Sequence, residues 1–61
     1  MSNEFEARLL HYWSHIRDAL KRGSLIEASE WLESAGQEEG LKMLLALQEK
    51  AGQFCRREIE R

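Results

Sequence analysis

The chain has no proline, no valine and no threonine, and isoleucine occurs only at positions 16, 26 and 59. Strands favour β-branched and aromatic residues, so a sheet has little to be built from. Leu, Ala, Glu, Lys, Arg and Gln dominate instead, and these are helix formers. The expected class is all-α. A single cysteine, Cys55, excludes an intrachain disulfide and fits a reducing compartment. Only His11, His15 and Cys55 offer nitrogen or sulfur ligands, too few for a structural zinc site. A chain of 61 residues buries a small share of its surface. With neither disulfide nor metal to help, oligomerisation is the remaining source of stability.

Long apolar runs are missing too. The longest uninterrupted one is Met43 to Leu47, whereas a membrane helix needs about 20 apolar residues. The first residues are acidic and lack the apolar core of a signal peptide. The expectation is a cytoplasmic protein without a membrane span. Net charge is −2 and the isoelectric point about 5.6, so nothing draws the whole chain to nucleic acid or anionic lipid. No glycine-rich phosphate loop and no serine or cysteine triad is present. The chain is therefore expected to be non-catalytic and to carry no cofactor.

What is present is helical periodicity. Phe5, Leu9, Trp13, Ile16 and Leu20 form one stripe, predicting a helix over about 4–22. Asn3 with Glu6 offers a capping box, and Gly23 a C-terminal stop. Ser24 and Glu27 offer a second capping box at once, so the link is short and the first two helices form a hairpin or corner. The second helix is expected over about 25–35, with Leu25, Ala28, Trp31, Leu32 and Ala35 on one face. The third is expected over about 37–60. Gly36 and Gly40 lie close together, and each interior glycine costs roughly 1 kcal/mol relative to alanine. A break between them is favoured over one continuous rod. Gln37, Glu38 and Glu39 then fall in the first turn of the third helix, where the helix dipole favours acids. The whole chain reads as one small domain: a helical hairpin or three-helix arrangement, closed by homodimerisation through the C-terminal helix.

That last helix is the most apolar. Residues spaced about 100° apart spread its apolar set over about 200° of the circumference. Met43, Leu47, Ala51 and Phe54 lie on one side; Leu41, Leu44, Leu45, Cys55 and Ile59 lie on the other, with Gly52 among them. One side is expected to take the chain's own hairpin and the other a partner. Self-association is assigned to Leu41, Leu44, Leu45, Leu47 and Phe54.

Four clusters are candidates for chemistry. His11, His15 and Asp18 share a helix face with the spacing of a weak metal site, although that face is expected to be solvated. Cys55 precedes Arg56 and Arg57, but adjacent side chains diverge on a helix, and a buried inert thiol is expected. Glu27, Glu30, Glu33 and Glu38, joined by the apolar Ile26, make an acidic surface suited to a basic protein partner. Arg8, Arg17, Lys21 and Arg22, or Arg56, Arg57 and Arg61, could form a small basic patch in an oligomer. A DNA-reading helix that began Gln37-Glu38-Glu39 would be repelled by phosphate. In size and layout the chain resembles the short helical regulators of phages and plasmids. That resemblance implies a small protein that binds and modulates or inhibits another protein. A dimeric bundle binding RNA or DNA, and a small subunit of a larger assembly, are the alternatives.

Overall fold

The computed structural model describes residues 3–59, with side chains described through Glu58. Three helices follow one another: α1, Glu4–Lys21; α2, Leu25–Glu39; and α3, Leu41–Ile59. Every pair of helices is in contact, and the described residues contain no strand. Arg8 near the start of α1 pairs with Glu39 at the end of α2. The Lys42 ammonium at the start of α3 lies 5.3 Å from the Phe5 ring centre. The three helices therefore run up, down and up in a bundle with extents of 37 × 23 × 16 Å. None of them is long and apolar enough to cross a membrane.

The first link follows from Gly23. It adopts φ 76°, a left-handed conformation that glycine enters without the cost of a Cβ. Its N–H donates to the Leu20 carbonyl at 3.1 Å, and the Ser24 N–H donates to the Ala19 carbonyl at 2.8 Å. Both bonds together satisfy carbonyls that α1 would otherwise leave open. The capping boxes do not form: neither the Asn3 nor the Ser24 side chain makes a cap hydrogen bond.

The second link corrects the sequence reading. Helix α2 does not end near 35; it continues through Gly36 to Glu39, and Gly40 alone separates it from α3. The Gly40 N–H donates to the Gly36 carbonyl at 3.0 Å, while the Gly40 carbonyl accepts from Leu44 at 3.2 Å. One residue thus ends one helix and begins the next, at φ 98° and ψ −178°, a region essentially reserved for glycine. Gly36 stays helical and faces the Leu44 side chain. A Cβ there would meet the Leu44 side chain at 3.4 Å. The expected end of the third helix at residue 60 lies outside the described residues.

The core consists of Leu9, Tyr12, Ile16 and Ala19 from α1, Ala28 and Ala35 from α2, and Met43 and Leu47 from α3. Ile16, Met43 and Leu47 have no solvent exposure. Trp13, Leu20, Trp31, Leu32 and Ala46 pack around them, half-buried. The buried side of α1 is centred nearer Tyr12 and Ala19 than the Phe5–Leu20 stripe suggests, and Phe5 sits at its margin. Ala28 and Ala35 of α2 are buried in the same cluster as Tyr12 and Ala19.

Two substitutions test this packing. Met43→Ala should cost about 2–5 kcal/mol, as removal of a fully buried long side chain does. Gly40→Ala should cost about 1–3 kcal/mol through its positive φ, with no clash to relieve. Urea denaturation followed by circular dichroism measures both. If Gly40→Ala matched the native chain, the single-residue link would be wrong.

Candidate functional site

The acidic residues of α2 have distinct partners. Glu27 accepts a hydrogen bond from the Arg22 guanidinium, which also holds Asp18 at 3.2 Å. Glu33 accepts from the Gln37 amide at 3.4 Å. Glu38 accepts from the Tyr12 hydroxyl at 2.7 Å, and Glu39 pairs with Arg8 at 3.4 Å. These last two glutamates stand at the C-terminal end of α2, where the dipole disfavours them. They do not open α3 as the sequence suggested. Their contacts to α1 offset that cost and tie the two helices together. Glu30 makes no ion pair or hydrogen bond among the described residues. It lines an open depression of about 350 Å³ with Glu27, Trp31 and Ser34.

Ile26 is 76% exposed and shares the outer side of α2 with Glu30 and Glu33, because residues three and four apart are neighbours on a helix. Glu38 leaves this group, since its carboxylate is turned to Tyr12. The acidic surface expected on α2 therefore contracts to Ile26, Glu30 and Glu33, with Glu27 at its edge. Leu25 is also largely exposed rather than part of the inward face.

The histidines are exposed, as expected of that face, but their rings are not isolated. The His15 ring stacks on Trp31 at 4.1 Å with an 8° interplanar angle, and His11 meets His15 edge-on at 5.0 Å. Tyr12 meets Trp31 edge-on at 6.1 Å. The two imidazoles belong to an aromatic seam between α1 and α2, while Asp18 turns to Arg22. No three His, Cys, Asp or Glu side chains converge as metal ligands among the described residues. The packing of α2 onto this flank of α1 could not be read from helix 1 alone.

On α3 the five residues assigned to self-association separate. Leu41 and Leu45 are 67% and 55% exposed. Leu44 is half-buried against Gly36. Leu47 is sealed in the chain's own core, so it has no surface to offer a second copy. Phe54 is half-buried and meets Trp13 edge-on at 6.1 Å; it too belongs to the chain's own packing. Cys55 is exposed, contrary to the buried thiol expected. It borders an apolar hollow with Leu20, Lys21, Leu25, Phe54 and Glu58. The Ile59 side chain lies outside the described residues.

The basic residues regroup as well. Arg8 and Arg22 are each held by two carboxylates, which offsets the charge of two of the four residues in the patch expected along helix 1. Arg61 lies outside the described residues. Arg17 instead faces Lys50 and Arg57 of α3 across a cleft with Trp13, Gln53 and Phe54. Sequence reasoning placed Arg17 and Arg57 in separate patches. The i, i+4, i+7 spacing of Lys50, Phe54 and Arg57 was the signal that could have joined them. Comparison with protein-family models, with curated proteins and with solved structures finds no match.

The Tyr12–Glu38 contact has a measurable consequence. The hydrogen bond to Glu38, aided by burial and by the charges of Glu38 and Glu39, pushes the Tyr12 hydroxyl from about 10 up to about 12. A folded-state value above the unfolded one means that the contact stabilises fully below pH 10. Its contribution is lost as pH rises through about 12. Ultraviolet titration of the single tyrosine should show the raised value, and Glu38→Gln should return it toward 10. An unchanged titration in Glu38→Gln would remove this contact as the cause.

Proposed function

We propose that the chain is non-catalytic and acts by binding another protein, as a small cytoplasmic regulator or inhibitor, and that α3 closes a homodimer. The observation that carries this reading is the pair Leu41 and Leu45. They remain largely exposed on the outer side of α3 although Met43 and Leu47 already complete the core. Helical spacing of about 100° per residue puts Gln48 and Gly52 on that same outer line, with room for close approach, since nothing lies within 4 Å of a Cβ built on Gly52. Two such helices packed together would bury the leucines that one chain leaves in water. Each buried leucine contributes roughly 1.5–3 kcal/mol.

The docking surface for the regulated partner is the outer side of α2. Ile26 supplies an apolar anchor and Glu30 and Glu33 supply charge, so a basic partner with an apolar side chain at its centre fits best. Buried apolar anchors surrounded by polar contacts are where interfaces gain most of their affinity. In this reading the two surfaces sit on different helices and are usable together.

Light scattering coupled to size-exclusion chromatography, from micromolar to hundreds of micromolar, tests the first part. A dimer is expected, and Leu45→Glu should weaken it by about tenfold or more while the helical circular dichroism is kept. A helical monomer at every concentration would overturn the homodimer. Glu30→Lys with Glu33→Lys should abolish capture of a basic partner without changing the dimer.

A further inference from the structure

The cleft between α1 and α3 lies on the side of the bundle away from α2, apart from both surfaces just described. Trp13 and Arg17 stand one turn apart on α1. Lys50, Gln53, Phe54 and Arg57 recur on α3 at the spacing of a single helix face. Together these six residues line a volume of about 280 Å³. Its floor is the edge-to-face pair of Trp13 and Phe54, with ring centres 6.1 Å apart and both rings half-exposed. Its walls are three cations, and among the described residues no carboxylate lines it.

That composition is unusual for this chain, which has 11 acidic residues against nine basic ones. Arg8 and Arg22 each take two carboxylates. Arg17, Lys50 and Arg57 take none among the described residues. Like charges gathered beside an apolar ring pair repel one another, and an anion between them relieves that repulsion. Guanidinium groups match phosphate with paired donors, and an ammonium adds a point charge. Aromatic rings beside a cationic track accept a stacked base whatever its identity. The Gln53 amide adds a donor and an acceptor for a base edge.

We infer that this cleft binds a nucleotide unit, its phosphate held by Arg17, Lys50 and Arg57 and its base set against Trp13 and Phe54. An acidic peptide would use the cations and leave the rings idle, so the ring floor favours a nucleotide. The unit could be a free nucleotide or one residue of a single strand, and the chemistry is shared.

The test uses the full chain with fluorescein-labelled oligouridylate, followed by anisotropy, and uridine monophosphate as competitor. The strand should bind, with log affinity falling against log salt at a slope of about 2, set by three cations at about 0.7 per phosphate. Lys50→Gln with Arg57→Gln should weaken binding by about tenfold or more, while Arg22→Gln leaves it within about twofold. In nitrogen-edited NMR of the native chain, the Trp13 indole signal should move and that of Trp31 should not. This readout holds even if the double variant fails to fold. Competition by the mononucleotide would assign the site to free nucleotides, and binding of the strand alone would assign it to single-stranded nucleic acid. Failure of both to bind would overturn the inference. So would a folded double variant with native affinity, a Trp13 signal that stays still, or polyglutamate displacing the strand as well as the mononucleotide does.

Discussion

The bundle depends on how near α2 can come to its neighbours. Ala19, Ala28 and Ala35 are all buried, and Gly36 touches Leu44. None of them fills much space, and that is their part in the fold. Small side chains at the crossings let the helix backbones approach, and Ile16, Met43 and Leu47 then plug the remaining centre. Burying each large side chain contributes roughly 1.5–3 kcal/mol, but only if nothing holds the helices apart. A larger residue at a crossing would force off-rotamer side chains on the plugs, because packed interiors do not yield to added volume. The same constraint explains what stays outside. A helix that presents alanines inward has fewer places for large apolar residues, and Leu25 and Ile26 are left near the solvent.

Charge at the α1–α2 end is the second element of the design. Glu38 and Glu39 close α2 at the end where carboxylates repel the helix carbonyls. The structure offsets this with two partners from α1: the Tyr12 hydroxyl and the Arg8 guanidinium. Both contacts are long-range in sequence and both are specific to an antiparallel hairpin of this register. Sliding α2 by one turn would leave two acids at a helix C-terminus with nothing to meet them. The acids thus help to select the register; of the two contacts, the partly exposed Arg8–Glu39 pair contributes little stability on its own.

Helix content, the Gly23 stop and the two-sided character of α3 were legible in the sequence, because each is a local or periodic signal. The all-α class followed from the residues that are missing. The position of the second break was not legible. Gly36 and Gly40 are equally permissive as residues, and nothing local in the sequence says which of them takes the positive φ that Gly40 adopts. The pairing of Glu38 with Tyr12 was hidden for the same reason, as moving the break by one turn exchanges a helix start for a helix end. The rotation of α1 toward Tyr12 and Ala19 was likewise not legible. Leu47 and Phe54 were assigned to a partner, yet they lie on the core side of their own helix. A strict reading of their spacing from Met43 would have kept them there.

Helix α3 carries two unsatisfied features, and their placement decides whether they compete. Leu45 and Phe54 are nine residues apart, which at about 100° per residue puts them on opposite sides of the helix. Leu41 and Leu45 look outward, while Lys50, Phe54 and Arg57 look toward α1. A second copy seated on the outer stripe would leave the cationic cleft of each chain open. It would also bring two clefts into one assembly, related by the dimer axis, and paired weak sites on one particle bind a continuous strand more tightly than either does alone. Free mononucleotides gain nothing from such pairing. On the proposed dimer and the inferred site, oligomeric state and preference for strand over mononucleotide would be linked: a dimer whose two clefts one strand can reach would discriminate between the two sources of nucleotide, whereas a monomer, with one cleft, would do so only through contacts to neighbouring residues of the strand.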